Sequence, residues 1–198
     1  MKNLMLICWL AALLSACSNN SASEERSIED QEELHAMSIY HLPSDWKTHE
    51  GEQIAFSDLK GQPLVVVMIY TACKTACPRL VADMRQIEEK SALAGARQPR
   101  YILVSIDPLN DTPERLKQFA NANQMEGDQW LFLQGTTAGV REFANVLAVK
   151  YKRIDPIDFS HSNIISVFDQ KGVLQYQKEG LGMENDEIIS KIVEISGT

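Results

Sequence analysis

Clustered basic residues, long apolar runs and cysteines are all scarce in this sequence of 198 residues. Its 19 lysines and arginines stand against 27 acidic residues and nowhere form the basic clusters that phosphate binding requires, which excludes a nucleic-acid partner. The mean hydropathy is −0.20 and one segment alone is strongly apolar, which excludes a multi-span membrane protein. Four cysteines are too few for a disulfide scaffold of this size. The length allows one domain of ordinary size.

The strongly apolar segment lies at the start of the chain. Leu4 to Leu14 is an uncharged run behind Lys2, and its eleven residues would span about 16 Å as a helix, too little to cross a bilayer. This pattern predicts a signal peptide over residues 1–16. The run ends in Leu14-Ser15-Ala16-Cys17, which resembles the lipobox of bacterial lipoproteins and implies cleavage before Cys17 and lipid attachment at its sulfur. An ordinary secretory signal cleaved nearby is the alternative.

The expected location is therefore outside the cytoplasm, on a bacterial membrane, where disulfides persist. In a Gram-negative host this means the periplasmic side, and Ser18 after the lipidated cysteine favours the outer membrane. Residues 17–36 are acidic and have little to bury, so we expect a flexible solvated tether there. Residues 37–198 have the pattern of a folded domain. Because Cys8 would leave with the signal and Cys17 would be blocked, the mature chain keeps two reactive thiols, Cys73 and Cys77.

The pattern of the folded part predicts a mixed α/β sheet flanked by helices, in the order β-α-β-α-β-α-β-β-α. The continuous β-branched run Leu64 to Tyr70 is typical of a strand buried on both faces. Helix-capping residues are expected at Asp111 and at Thr136 or Thr137. The apolar residues of the second of these helices are Val140, Phe143, Val146 and Leu147. The remaining predictions are strands over 101–106 and 130–133, a β-hairpin over 164–176 and a last helix from Asn185 or Asp186.

The chemistry is expected at Cys73 and Cys77, where the first buried strand turns into a helix. A helix N-terminus stabilises thiolates through its unpaired N–H groups, and a spacing of four residues puts both sulfurs on one side of a helical turn. The pair can form a disulfide or share a soft metal ion. Two thiolates are an incomplete site for zinc, whereas copper(I) accepts two or three soft ligands. An inert local disulfide is the alternative.

The four histidines differ in their expected roles. His35, His41 and His49 lie in polar regions and are expected to be solvated surface residues. His161 shortly precedes the strand that begins at Ile164, and a loop in that position can reach the start of the first helix. From position alone His161 is either a third metal ligand or a loop histidine with no functional role.

Five short motifs occur in order and together resemble the Sco/SenC family of thioredoxin-fold copper-binding proteins. They are Tyr70-Thr71-Ala72-Cys73, Cys77-Pro78, Val104 to Pro108, Asp111-Thr112-Pro113-Glu114 and Phe159-Ser160-His161-Ser162. The resemblance implies copper held by Cys73, Cys77 and His161, and a role in maturing the binuclear copper centre of cytochrome c oxidase. Asp107 and Asp111 match family acids near the site, where they would support the ligands from outside the metal's own shell. We interpret Asp111 first as a helix cap and second as such a supporting residue.

The sequence departs from the family pattern at Lys74, Thr75 and Ser160. Lys74 and Thr75 replace a proline and an acid between the cysteines, and Ser160 replaces an aspartate that often precedes the histidine. A lysine beside the thiolates is expected to lower the pKa of both cysteines. These changes leave the three candidate ligands intact but favour thiol redox chemistry.

Two classes of function follow from these residues. The first, which we favour, is a copper metallochaperone, whose partner is the copper-bearing subunit of cytochrome c oxidase or another copper acceptor. The second is a thiol–disulfide oxidoreductase that takes electrons from a thiol reductant and reduces the acceptor's cysteines, with Cys73 attacking and Cys77 resolving. Peroxide reduction is a weaker third. His161 separates the first two, because copper binding needs the imidazole and dithiol exchange does not.

Overall fold

A computed structural model describes residues 36–97, 99–182 and 184–197. The predicted signal peptide, the lipidation of Cys17, His35 and nearly all of the predicted tether lie outside the described residues. Among the described helices, none is long and apolar enough to cross a membrane.

The described strands are β1 Asp45–Thr48, β2 Gln53–Ala55, β3 Leu64–Ile69, β4 Arg100–Ser105, β5 Trp130–Gln134, β6 Tyr151–Arg153, β7 Phe159–His161, β8 Ile164–Phe168 and β9 Leu174–Glu179. Seven of them form a mixed sheet at the centre of the domain, in the order β2-β1-β5-β4-β3-β8-β9. Its three middle strands β5, β4 and β3 are parallel, and β8 pairs with β3 in the antiparallel direction.

Four α-helices flank the sheet: α1 Cys77–Leu93, α2 Pro113–Ala122, α3 Thr137–Val146 and α4 Asp186–Ser196. Helices α1 and α4 pack on each other, and α2 packs on β5. The aromatic core near β1 is built from Trp46, Phe56 and Phe143, with Phe56 and Phe143 stacked at 4.6 Å between ring centroids. The predicted mixed α/β sheet with flanking helices is confirmed.

The hydrophobic pattern explains why β3 occupies the middle of the sheet. All six of its residues are buried, and a strand covered on both faces needs no polar alternation. The β8–β9 hairpin also forms as predicted. Its turn contains Gly172 with φ of +73°, a left-handed conformation that glycine adopts without strain. Pro78 lies in the first turn of α1, where its missing N–H costs no hydrogen bond.

The structure corrects three details of the prediction. The N-cap of α2 is Thr112, whose hydroxyl accepts from the N–H of Arg115, and the Asp111 side chain points elsewhere. Val146, which the pattern places on the apolar stripe of α3, is 48% exposed. The prediction also missed β1, β2 and the separate two-stranded sheet of β6 and β7, so His161 lies at the end of a short strand rather than in a loop.

Candidate functional site

The two cysteines lie where β3 ends and α1 begins. The chain leaves the sheet at Tyr70, turns through residues 71–76 and enters α1 at Cys77. Cys73 is 8% exposed, Cys77 is fully buried, and no disulfide joins them. The Cys73 Sγ accepts a hydrogen bond of 3.3 Å from the Cys77 N–H, one of the N–H groups that a helix start leaves unpaired. The Cys73 sulfur therefore caps the helix, since the side chain of Ala76 offers no capping atom.

The two thiols differ strongly in acidity. Burial raises the pKa of Cys73, but hydrogen bonds from the N–H groups of Cys77 and Thr75 and from the Cys77 and Tyr70 side chains outweigh it, so the pKa lies below its ordinary value. Burial raises the pKa of Cys77 well above its ordinary value, and the nearby charges of Cys73 and Asp111 raise it further. The expected lowering of both pKa values by Lys74 is therefore wrong for Cys77. At Cys73 the lowering comes from hydrogen bonds, and the Lys74 side chain is exposed.

Asp111 is a buried carboxylate that connects the cysteine loop with β4. It accepts from the Thr71 N–H at 3.1 Å, from the Thr71 hydroxyl and from the Ser105 hydroxyl at 2.6 Å. The interpretation of Asp111 as a helix cap is thus wrong, because Thr112 does the capping and Asp111 is turned towards the cysteine loop. Its negative charge raises the pKa of Cys77, which makes it part of the electrostatic surroundings of the site.

His161 has one ring nitrogen engaged and one without a partner. The Nδ1 atom lies 3.0 Å from the carbonyl oxygen of Ser162, an acceptor that fixes the proton on Nδ1. Nε2 is buried and has no hydrogen-bond partner among the described residues. Burial lowers the pKa of His161, while the hydrogen bond to Ser162 opposes that shift. A neutral imidazole with a free Nε2 lone pair is the form that binds metal ions.

The structure brings some of the predicted site residues together but does not assemble a complete ligand set. Cys73 and Cys77 are in contact, and the His161 ring lies edge-on to Tyr70 with 5.8 Å between centroids. Within the described part of the chain, no three His, Cys, Asp or Glu side chains stand close enough to hold a metal ion. The thiol pair is therefore preformed, whereas the described structure does not place His161 in one ligand set with it.

The remaining predicted residues, Asp107, His41 and His49, differ in how far they are buried. Asp107 is 2% exposed and forms an ion pair with Arg153, with 2.8 Å between Oδ1 and Nη2. His41 is exposed, as expected. The expectation for His49 is wrong, because its side chain is 15% exposed and its ring packs on Phe132. This burial lowers the pKa of His49 below its ordinary value.

Sequence reasoning missed two residues of the site, Tyr70 and Arg153. Tyr70 is buried, and its hydroxyl contacts Asp158, Phe159 and the Cys73 thiol. The sequence contained a signal for Tyr70, because a tyrosine directly after an apolar strand carries a hydroxyl that needs a hydrogen-bond partner when it is buried. Arg153 reaches Asp107 across 46 residues of sequence, and no local pattern reveals that contact.

Comparisons with known proteins agree with this architecture. Residues 37–196 match the family model described as SCO1/SenC. The SCO1 protein homolog of Bacillus subtilis (strain 168) is 30% identical over 158 residues, which cover 76% of this chain and 79% of that protein.

Two solved structures have a similar fold. BsSco, described as a member of the Sco family of cytochrome c oxidase assembly proteins with a disulfide switch, is 26% identical with a TM-score of 0.70, covering 80% of this chain and 95% of that chain. Arabidopsis thaliana ScoI, solved with copper bound, is 15% identical with a TM-score of 0.68, covering 76% and 93%. These matches confirm the predicted thioredoxin-like fold.

Proposed function

The chain belongs to the SCO1/SenC family, and we propose that it is a copper metallochaperone that binds copper through Cys73, Cys77 and His161. The cargo is delivered to a copper acceptor in the assembly of cytochrome c oxidase. Two observations carry the proposal: the two thiols at the helix start are not joined by a disulfide, and the buried His161 Nε2 has no hydrogen-bond partner in the part of the chain that the structure describes. Similarity to a Sco structure with copper bound and to a Sco protein of cytochrome c oxidase assembly supports the same conclusion.

The donor set fits copper better than other metals. Thiolates are soft ligands that select copper(I), and one imidazole nitrogen completes a three-coordinate shell. Zinc would need a fourth protein ligand in addition to Cys73, Cys77 and His161. Copper also suits a carrier, because a site with two or three exchangeable ligands can pass the ion to an acceptor one ligand at a time.

The unequal pKa values of the two thiols predict the order in which the ligands coordinate copper. Cys73, whose pKa is lowered, provides a thiolate first, and Cys77 must lose a proton before its sulfur can coordinate. Copper loading therefore releases a proton from Cys77, and the affinity rises with pH through this step. His161 joins last, since its neutral Nε2 requires no deprotonation but does require movement towards the sulfurs.

Dithiol exchange is the second candidate, and the same asymmetry of the thiols favours it. The Cys73 thiolate attacks a disulfide of the acceptor, forming a mixed disulfide and releasing one acceptor thiolate. Cys77 then loses its proton and attacks the Cys73 sulfur, which releases the second acceptor thiolate. The acceptor gains two electrons, and this chain is left with a Cys73–Cys77 disulfide that a thiol reductant must reduce.

Substitution of His161 separates the two candidates. We expect His161→Ala to weaken copper(II) binding most, because copper(I) can remain two-coordinate on thiolates whereas copper(II) prefers additional nitrogen ligands. The variant should fail to support copper-dependent oxidase assembly while its disulfide still forms and is reduced normally. His41→Ala is the matched control at an exposed histidine and should behave as the wild type. Normal oxidase assembly by His161→Ala at normal protein abundance would favour dithiol exchange instead.

The thiol ligands are tested by titrating the reduced chain with copper(I). One ion per chain is expected to bind tightly, and Cys73→Ala or Cys77→Ser should abolish this binding, because no other pair of cysteines lies in the described domain. Absorption spectroscopy and competition with a copper(I) chelator measure the change. Tight binding that persists when both cysteines are replaced would refute the site.

The location is part of the proposal. Cys17 at the end of the lipobox-like run supports a lipid-anchored extracytoplasmic protein, with the outer membrane as the favoured destination in a Gram-negative host. The mature wild-type protein should fractionate with membranes and begin at Cys17, whereas Cys17→Ser should be released or remain unprocessed. Mass spectrometry of the mature N-terminus measures both. A wild-type protein that is soluble without detergent would contradict the anchor.

A further inference from the structure

The hairpin that carries His161 is a separate element of the fold. Strands β6 and β7 pair with each other in an antiparallel register that places Tyr151 opposite His161 and Arg153 opposite Phe159. Among the described residues, the two strands share no backbone ladder with the seven-stranded sheet. His161 is joined to β8 by two residues, and side-chain contacts between the β6–β7 hairpin and the rest of the domain add to this connection in setting where His161 lies relative to the cysteines.

The first contact is made by Arg153 on β6. Its Nη2 donates to Asp107 Oδ1 at 2.8 Å, and Asp107 lies almost directly after β4 with 2% of its surface exposed. The other Asp107 oxygen accepts from Asn110 at 2.8 Å, so the carboxylate is held in place. On the hairpin side, Arg153 Nη1 donates to the Pro156 carbonyl at 2.7 Å, and the guanidinium lies 4.4 Å from the centre of the Phe159 ring. Arg153 thus joins both strands of the hairpin to the end of β4.

The second contact is made by Tyr70, directly after β3. Its hydroxyl donates to the Asp158 carboxylate and lies 3.3 Å from the Phe159 carbonyl oxygen. Its ring contacts the rings of Phe159 and His161, with centroid distances of 5.2 and 5.8 Å. The same hydroxyl lies close enough to the Cys73 thiol to help lower the pKa of Cys73. Tyr70 therefore touches the cysteine loop and the hairpin at once.

From these contacts we infer that Arg153 and Tyr70 are positioning residues, which hold the β6–β7 hairpin so that the His161 imidazole stays beside the cysteine loop. The inference rests on the function proposed for this site. The hydrogen bond of His161 to Ser162 is local and orients the ring without fixing where the hairpin stands. The connection to β8 holds one end of the hairpin, and two links from the ends of the neighbouring parallel strands β3 and β4 restrain its side towards the cysteine loop. Because both links act on one hairpin, their losses should not add independently.

The test begins with the full chain, reduced and metal-free, so that its outcome does not depend on copper binding. The variants are Arg153→Gln, Tyr70→Phe and the double variant. Arg85→Gln removes an exposed arginine on α1, and Tyr40→Phe removes a buried hydroxyl that bonds the Leu59 carbonyl. These two are the matched controls.

The readouts are the NMR signals of the His161 ring and the hydrogen exchange of the Phe159 amide. We expect each test variant to shift the His161 resonances and to speed Phe159 exchange about tenfold, the size expected for losing a hydrogen bond to a charged group. The controls should leave both readouts unchanged. Arg153→Lys keeps the charge but loses the two-sided contact, so it should restore part of the protection.

Copper(II) loading gives the second measurement. Each test variant should weaken copper(II) binding about 10- to 100-fold and alter the nitrogen hyperfine coupling in the electron paramagnetic resonance spectrum, as expected when a residue that orients a ligand is lost. Copper(I) binding by the thiols should change little. The double variant should fall short of the product of the two single effects.

The outcomes separate this inference from the proposed function. Unchanged His161 resonances and unchanged Phe159 exchange in the Arg153→Gln and double variants would overturn the positioning role, whether or not copper binds. Copper binding that survives loss of both cysteines would overturn the proposed site but not the positioning result. Arg153 is partly exposed, so the Arg153 variants keep the test decisive if Tyr70→Phe fails to fold.

Discussion

The fully buried Cys77 thiol should make the reduced protein lose stability in mildly alkaline solution. Burial raises the pKa of Cys77 above the ordinary value of 9.0, so the folded chain keeps this proton after the unfolded chain has released it. Stability then falls as pH rises above the unfolded pKa. For an unfolded pKa of 9.0, the accumulated loss at pH 10 is about 1.4 kcal/mol.

The perturbation is Cys77→Ala. Cys73 acts with the opposite sign, because its lowered pKa gives stability that increases as pH rises towards 9. Burial also raises the pKa of Tyr40, Tyr70 and Tyr101, but these titrations occur in both proteins and cancel in the difference between the two free energies of unfolding. That difference should stay level up to about pH 9 and then fall for the wild type. Between pH 8 and 10 the wild type should lose about 1.4 kcal/mol relative to the variant.

Urea denaturation at a series of pH values with a phosphine reductant, followed by tryptophan fluorescence, measures these free energies. Any cavity left by Cys77→Ala shifts its curve by a constant and does not affect the comparison of slopes. Cys73→Ala is the control and should keep the alkaline decline, since burial is the main cause of the raised Cys77 pKa. Parallel wild-type and Cys77→Ala curves from pH 8 to 10 would refute the reasoning.

Three further predictions concern single residues. Brief alkylation with iodoacetamide near neutral pH should label Cys73 well before Cys77, because the pKa of Cys73 is lowered and that of Cys77 is raised. Equal labelling of the two cysteines, measured by mass spectrometry, would contradict this. Asp111→Ala should lower the free energy of unfolding by about 2–4 kcal/mol in urea denaturation, because it leaves the buried donors of Thr71 and Ser105 unsatisfied. A loss of less than about 1 kcal/mol would count against the role of Asp111. Gly135→Ala should lower the free energy of unfolding by about 1–3 kcal/mol in the same assay, since a Cβ at this position would lie 2.5 Å from the buried Trp46 ring. An unchanged urea midpoint would contradict the predicted clash.

The parts of the fold that sequence predicts are those with strong local signals. The apolar run of β3, the proline near the start of α1 and the glycine turn between β8 and β9 each fix structure within a few residues. Strands β1 and β2 are four and three residues long, and they join the sheet through the pairing of β1 with β5. Short strands of this kind give little periodicity to read.

The site shows the same division between local and distant causes. The positions of Cys73 and Cys77 at a helix start follow from the strand and the proline beside them. Asp111 could not be placed by its neighbours, because its position just before a helix indicated a cap, whereas its carboxylate accepts from the hydroxyl of Ser105 on β4. Arg153 depends on a residue 46 positions away.

The first described residues of the domain lie at the end of β3 that is opposite to the cysteines. The Ser38 hydroxyl donates to the Lys171 carbonyl at 2.6 Å, in the β8–β9 turn, and that turn adjoins the start of β3 through the pairing of Phe168 with Leu64. Cys73 follows the other end of the same six-residue strand, which puts about 20 Å of sheet between the two points.

Chain arriving from the N-terminal side therefore enters at the end of the domain that is remote from the thiols. The 19 residues between Cys17 and Met37 can reach at most about 65 Å when fully extended. If Cys17 is the lipid anchor, the domain can stand with its thiol end directed away from the bilayer surface, and an acceptor can approach the site without first displacing the lipid headgroups.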